Sequence, residues 1–192
     1  MGVFYFLNHW GMCMKTVVTE RLVLRPLKLS DLEAFYHYCK KPNIGPSAGW
    51  KPHESIEESL RILRMMISEH EVWGITLKHD DTLIGTIGLH ARDFDMAIDN
   101  AKEIGYVLDD TYWGKGYMVE AVLKVLNYAF LDLELDKVTC GHHIENIKSK
   151  RVIEKTNLFY YTHEEERKHY DGTMISIMMY QILRHEYMEK II

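Results

Sequence analysis

The spacing of apolar and polar residues changes along the chain, and its first part predicts one strand followed by two helices. Leu22, Leu24 and Leu27 are set among Arg21, Val23 and Arg25, a pattern that suits a strand. Ser30 is predicted to cap a helix that ends before Pro42. A second helix is predicted from Ser55 to about His70, because apolar residues recur there at steps of three and four.

The middle of the chain has the two-residue period of β-strands. It predicts strands over residues 72–78, 83–92 and 102–108, joined by turns at residues 79–81 and 99–100. Short turns between consecutive strands are typical of an antiparallel meander.

After residue 110 the period lengthens to that of a helix, and helices then alternate with strands. We predict helices over residues 117–130 and 146–155, and strands over residues 138–142, 159–162 and 175–183. The predicted fold class is therefore α+β (α/β), with a mixed, mostly antiparallel central sheet flanked by helices.

The chain is expected to form one domain over residues 15–192, because it has neither an internal repeat nor a linker. Residues 1–14 are apolar but too short to span a bilayer, and no basic segment precedes them. We interpret them as an N-terminal extension that is disordered, or that precedes a later true start at Met14.

Charge and cysteine content narrow the expected partners and location. The net charge is −5, from 23 Lys and Arg against 28 Asp and Glu, so neither nucleic acid nor an anionic membrane is expected as a partner. Cys13, Cys39 and Cys140 are too few and too widely spaced for a disulfide framework or a metal site. We expect a cytoplasmic protein.

The most informative local motif is a pair of glycines, Gly114 and Gly116, on either side of Lys115. It lies between a predicted strand and a predicted helix. The first N–H groups of a helix attract anions, and glycines let the backbone approach a phosphate closely. The chain has neither a P-loop nor a Rossmann fingerprint, so this turn predicts a different phosphate site.

Three segments together carry a family resemblance. Residues 103–121, EIGYVLDDTYWGKGYMVEA, resemble motif A of the GNAT acetyltransferases. Residues 143–159, HIENIKSKRVIEKTNLF, and residues 19–27, TERLVLRPL, are similar to the ribosomal-protein N-terminal acetyltransferase branch of that superfamily. The resemblance implies the GNAT fold and acetyl-CoA as cosubstrate. It also implies direct transfer of the acetyl group to a primary amine.

The resemblance further implies that backbone amides of the glycine turn hold the pyrophosphate of acetyl-CoA. The chain departs from the family pattern at two positions of this site. Met118 replaces the usual alanine or glycine, and its larger side chain is expected to crowd the phosphate. Val119 replaces a frequent threonine. The implied cofactor-binding residues are Val107, Leu108, Trp113, Gly114, Lys115, Gly116, Tyr117, Met118, Asn146 and Ser149.

Glu103 resembles the family glutamate that accepts the amine's proton, and Ser149 the residue near the departing sulfur. The alternatives are that Glu103 forms a structural ion pair beside Lys102 and that Asn146 only caps a helix. His90 and His142 are secondary acid–base candidates. No metal is expected, because the same-face pair of Cys140 and His142 has no matching second pair.

The sequence leaves the class of the acceptor amine open. A protein N-terminus and a small-molecule amine both fit the resemblance, and a homodimer remains an open alternative for the assembly. A non-catalytic acyl-CoA-binding module with the same fold is the main competing interpretation. An unrelated nucleotide-binding regulator is a third.

Overall fold

The computed structural model describes residues 14–91 and 100–191. The proposed extension, apart from Met14, lies outside the described residues, as do Arg92 and Asp99 of the predicted strand and turn. Met14 itself is buried and belongs to the main apolar core.

The strands form a single eight-stranded sheet in the order β1-β2-β3-β4-β5-β6-β8-β7. All neighbouring pairs are antiparallel except β5 and β6, which are parallel. The strands are β1 (Val17–Val18), β2 (Leu22–Pro26), β3 (Val72–Leu77), β4 (Asp80–His90), β5 (Ala101–Leu108), β6 (Lys137–His143), β7 (Tyr160–Lys168) and β8 (Met174–Leu183). The helices are α1 (Leu32–Cys39), α2 (Ile56–Glu69), α3 (Tyr117–Leu131), α4 (Ile147–Thr156) and α5 (Arg184–Ile191). The predicted mixed, mostly antiparallel sheet with flanking helices is confirmed.

Helices cover both faces of this sheet, and strand alternation explains how. Val72 and Trp73 are neighbours on β3, so their side chains point to opposite faces, and each belongs to a different apolar core. The core containing Trp73 is filled by α3, whose Ala121 and Val125 are fully buried. The core containing Val72 is filled by α1 and α2, through Phe35 and others. None of the helices in the described part of the chain is long and apolar enough to cross a lipid bilayer.

The predicted start of the first helix was wrong. Ser30 does not cap it; instead, Leu29–Asp31 form one 3-10 turn and α1 begins at Leu32. Asp31 is buried, and its carboxylate accepts hydrogen bonds from the backbone N–H of Lys28 and from both terminal nitrogens of Arg25. A buried ion pair therefore fixes this corner.

The C-terminal third departs from prediction in two further places. β7 continues to Lys168, well beyond the predicted strand, and α5 was not predicted at all. Asn157, which ends α4, has a φ of 54°, in the left-handed region that usually favours glycine.

The Arg25–Asp31 pair yields a test of the fold. We expect Arg25→Met to lower the free energy of unfolding by about 3–5 kcal/mol, because Asp31 would stay buried without its cationic partner. The double variant Arg25→Met/Asp31→Leu should recover most of that loss, because no charge is then buried unpaired. Urea unfolding measures both. A double variant no more stable than the single one would contradict the assigned role of the pair.

Candidate active site

A gap opens in the sheet between the two parallel strands. β5 and β6 pair from Ala101–Lys137 to Ile104–Cys140. β5 continues to Leu108 and β6 to His143, but no further rung joins the two strands along these described residues. The edge of β5 in this gap includes Val107 and Leu108, two of the predicted cofactor residues. Backbone polar groups on such edges must bond to water or to a ligand.

The glycine turn lies directly after β5 and opens α3. Gly114 and Gly116 have φ angles of 76° and 80°, a conformation that side chains other than glycine's rarely adopt. The N–H of Glu120 donates to the carbonyl of Gly116 and starts the helical hydrogen bonding. The N–H groups of residues 117–119 precede this bond and have no carbonyl one helical turn before them. The turn thus has the geometry of an anion site.

Arg21, at the start of β2, holds this turn in place. Its Nη1 donates to the carbonyl of Lys115 at 2.9 Å, and its Nε donates to Glu120 at 2.7 Å. Its guanidinium also lies 4.7 Å from the ring centre of Tyr117. Thr19 donates a further hydrogen bond to Glu120. Sequence reasoning missed Arg21, because nothing in the local pattern links the first strand to the third helix.

Two side chains of the turn make their contacts elsewhere in the fold. Met118 is 6% exposed and packs in the main apolar core, so it does not crowd the anion site as the sequence comparison had led us to expect. The indole N–H of Trp113 donates to the carbonyl of Leu108 at 2.8 Å. The ammonium of Lys148, on α4, lies 3.8 Å from the ring centre of Trp113. The turn is therefore joined to α4 across the gap.

The start of α4 forms the other side of the gap. Asn146 caps α4, its Oδ1 accepting from the N–H of Ser149 at 3.0 Å, as its chemistry predicted. Its Nδ2 donates to the carbonyl of Ser47 at 3.1 Å. The hydroxyl of Ser149 lies 2.9 Å from the hydroxyl of Tyr106, a residue of β5 that the sequence did not single out.

Glu103 lies on the opposite face of the sheet from Ser149. Strand alternation separates it from Ile104 and Tyr106, which pack towards α3 and α4. Its side chain is 8% exposed and receives two hydrogen bonds from Arg167, at 3.1 and 3.0 Å. Lys102, the partner considered from the sequence, instead pairs with Glu71 at 2.9 Å.

Arg167 reaches Glu103 from β7, two strands beyond β6. At about 4.8 Å between neighbouring strands, a flat sheet would separate β7 from β5 by about 14 Å, too far for these two side chains to meet. The hairpin of β7 and β8 must therefore curl over this face. Burial disfavours the charge of Arg167, but the hydrogen bonds that it donates to Glu103 and Glu165 outweigh burial and raise its pKa.

The loop between α1 and α2 approaches the same face. His169, in the turn after β7, lies with Nε2 3.1 Å from the carbonyl of Pro46. The neighbouring Ser47 receives the hydrogen bond from Asn146. The loop is thus tied both to the curled hairpin and to the start of α4. Together these elements cover the face of the sheet on which the side chain of Glu103 lies buried.

The two histidine candidates differ in setting. His90 is the cross-strand neighbour of Glu103, and its ring lies 3.6 Å from Glu71. His142 stacks on Tyr180, and its Nδ1 lies 2.8 Å from the carbonyl of His143. Within residues 14–91 and 100–191, no group of three or more histidine, cysteine, aspartate or glutamate side chains is placed to hold a metal ion.

A family model described as an acetyltransferase (GNAT) domain matches residues 21–158, more than two thirds of the 192 residues. The chain therefore belongs to the GNAT acetyltransferase family. This confirms the family and the enzyme class predicted from the sequence, an N-acetyltransferase that uses acetyl-CoA.

Related sequences agree with this membership. "Uncharacterized N-acetyltransferase p20" of Bacillus licheniformis is 28% identical over 182 residues, covering 91% of this chain and 99% of that protein. YdaF of Bacillus subtilis, named as a candidate ribosomal N-acetyltransferase, is 32% identical over 116 residues, covering 58% of this chain and 59% of that protein.

Solved structures share the fold. A GNAT-family acetyltransferase from Bacillus anthracis superposes with a TM-score of 0.80 at 23% identity, covering 89% of this chain and 99% of that one. Spermidine N-acetyltransferase from Vibrio cholerae, solved in complex with CoA and spermine, gives a TM-score of 0.71 at 22% identity, covering 87% of this chain and 98% of that one.

The left-handed glycines of the turn yield a prediction. Gly116→Ala should weaken CoA binding about tenfold or more, because an L-residue at this φ shifts the N–H groups that precede α3. Gly172→Ala is the matched control, since Gly172 has a φ of 90° in the turn after β7 and a Cβ there meets only the end of Lys168. Isothermal titration with CoA measures both. Equal affinity of Gly116→Ala and Gly172→Ala, both folded, would contradict the assignment of the turn.

Proposed function

We propose that this protein transfers the acetyl group of acetyl-CoA directly to a primary amine. The observation that carries the proposal is the gap between β5 and β6. It has an anion-binding turn at one end, Ser149 on one face of the sheet and Glu103 on the other. Two substrates that approach from opposite faces would meet in this gap.

The face of the sheet covered by α3 and α4 suits the cofactor. The N–H groups of the glycine turn, over residues 114–119, would bind the pyrophosphate. The exposed strand edges at Val107 and Leu108 would hydrogen-bond the amide groups of the pantetheine arm, with Asn146 on the opposite side. The sulfur would then lie near the hydroxyl of Ser149, which donates a hydrogen bond to the developing thiolate.

The opposite face suits the amine. An amine must lose its proton before or during attack, and Glu103 is a buried carboxylate on this face of β5, one residue before the last rung. The proton would pass to Glu103 directly or through one water. Arg167 fixes the position of this carboxylate with two hydrogen bonds.

The acceptor is a primary amine on a protein N-terminus or on a small molecule. The related proteins support both classes, one being named for ribosomal acetylation and another for spermidine. Arg167 pairs with both Glu103 and Glu165, so its one positive charge offsets one of their two negative charges. A cytoplasmic location is part of the proposal, since acetyl-CoA and such amines occur there together.

A direct test measures CoA release with a panel of N-terminal peptides, polyamines and amino acids. The proposal expects acetyl-CoA consumption that depends on one class of amine, with a stoichiometric N-acetylated product identified by mass spectrometry. Tight CoA binding without transfer to any amine would favour the non-catalytic acyl-CoA-binding module instead.

With the acceptor in hand, Glu103→Gln tests the proton-transfer step. We expect turnover to fall by about 10²–10⁴-fold, because the amide keeps the shape of the side chain but is no useful base. The loss should shrink as pH rises, since the free amine then needs no assistance. Affinity for acetyl-CoA should change little.

Glu165→Gln is the matched control, because Glu165 also pairs with Arg167 from the curled hairpin. Its turnover should stay within about threefold of wild type. If both variants lose turnover equally, Glu103 acts only by holding Arg167. If Glu103→Gln keeps wild-type turnover at every pH, the base is elsewhere.

A further inference from the structure

Tyr106 reaches from β5 to α4 beside the gap between β5 and β6. It lies two residues beyond the last rung that joins β5 to β6, on the same face as Ser149. Its hydroxyl lies 2.9 Å from the hydroxyl oxygen of Ser149 and 3.3 Å from the carbonyl oxygen of the same residue. It is the contact that joins β5 to α4 in the gap.

We propose that Tyr106 is a positioning residue for acetyl transfer, which directs the hydroxyl proton of Ser149 towards the departing sulfur. The inference rests on the proposed function and deepens it, because it concerns how Ser149 meets the thiolate. Tyr106 does not itself touch either substrate in this account; it acts through Ser149.

The proposal rests on how many protons and acceptors the Tyr106 and Ser149 hydroxyls have. A tyrosine hydroxyl has one proton, and here two acceptors of Ser149 lie within reach of it. If the Tyr106 proton points to the carbonyl oxygen of Ser149, the Ser149 hydroxyl can donate its own proton to the oxygen of Tyr106. If the proton points to the serine oxygen, the serine proton is free to point into the gap. The carbonyl loses little in that arrangement, because the helical N–H four residues later also bonds to it.

The second arrangement matches the leaving group. As the amine nitrogen bonds to the acetyl carbon, the carbon–sulfur bond breaks and its electron pair goes to sulfur. The thiolate accepts a hydrogen bond from Ser149, which accepts one from Tyr106. No proton leaves either hydroxyl, and the proton that the amine gives up balances the thiolate. Hydrogen bonds to a charged acceptor are stronger than those to a neutral one, so the arrangement is favoured as charge develops.

The surroundings of Tyr106 agree with a hydroxyl that donates but does not ionise. Burial raises the pKa of Tyr106 well above its ordinary value, and the nearby Cys140 raises it further. Burial also raises the pKa of Cys140 itself, so a neutral thiol lies beside the phenol. Neither group competes with Ser149 as an anion at neutral pH.

The test is a double-mutant cycle between Tyr106→Phe and Ser149→Ala, with turnover and KM for acetyl-CoA measured for each. We expect Tyr106→Phe to lower kcat about tenfold, the effect of one hydrogen bond, with KM for acetyl-CoA within about twofold. Ser149→Ala should lower kcat by about 10²-fold. The double variant should lose no more than Ser149→Ala alone, since Tyr106 then has nothing to direct.

Tyr187→Phe provides the matched control. Tyr187 is a buried tyrosine of α5 that packs on Phe130, at the end of α3 remote from the glycine turn. The Tyr187→Phe variant should lower the thermal midpoint as Tyr106→Phe does, but it should leave kcat unchanged. This comparison separates the effect of losing any buried hydroxyl from the effect of losing the hydroxyl that orients Ser149.

The outcomes separate the inference from the proposal beneath it. Wild-type kcat in Tyr106→Phe, with a loss in Ser149→Ala, would overturn the inference and leave the function standing. Independent losses that multiply in the double variant would also overturn it, because Tyr106 would then act by packing. Wild-type kcat in Ser149→Ala would remove Ser149 from the mechanism and the inference with it.

Discussion

The site depends on one interruption in the sheet. β5 and β6 run parallel and pair for four rungs, and then their ladder stops. The next rung would join Gly105 to Gly141. Side chains from neighbouring strands occupy the space that a Cβ would need: His90 beside Gly105, and Met179 with Ile177 beside Gly141. Glycines on both strands thus let neighbouring residues pack over the sheet at the level where the ladder ends.

The interruption gives two strands unpaired edges inside a rigid frame. Outside the gap, antiparallel pairs continue on both sides, and two apolar cores hold helices against opposite faces. The glycine turn starts α3 at the end of β5, and Arg21 fastens that turn to β2. The anion site is therefore fixed relative to the gap. A long ligand held by its phosphates at the turn would extend along the strand edges without further movement of the fold.

Strand alternation divides the candidate residues between the two faces of the sheet. Glu103 faces Arg167 of the curled hairpin, whereas Tyr106 of the same strand faces α4 and Ser149. A transfer reaction needs a proton acceptor near the nucleophile and a hydrogen-bond donor near the leaving group. In the proposed reaction, the two functions lie on opposite faces of the sheet, and the two substrates would meet in the gap.

Much of the fold was readable from local pattern, because β2–β5 and α3 have strong periodicity and clear turn residues. The glycine turn and the cap by Asn146 were also predictable, since both depend on backbone geometry near their own positions. Arg21, Tyr106 and Arg167 were not singled out. Their partners, Lys115, Ser149 and Glu103, lie 94, 43 and 64 residues away, and no local rule specifies such contacts.

The start of α1 shows the same limit at short range. Ser30 and Asp31 are equally good caps by residue type, but the N-cap position falls on Asp31, whose carboxylate pairs with Arg25 instead of capping the helix. A tertiary ion pair thus outweighed a capping preference typically worth about 1 kcal/mol. The extended β7 was underestimated because its residues are mostly charged or polar and exposed, so they lack the apolar alternation of a half-buried strand.

The most direct test of the central claim is amide hydrogen exchange with and without CoA. The account predicts slower exchange for the amides of residues 114–119 and for the gap edges at residues 105–108 and 141–143. It predicts no comparable change in β2, β3 or α5, which lie away from the gap. Protection confined to another surface, or an unchanged glycine turn at saturating CoA, would contradict the claim that this gap is the cofactor site.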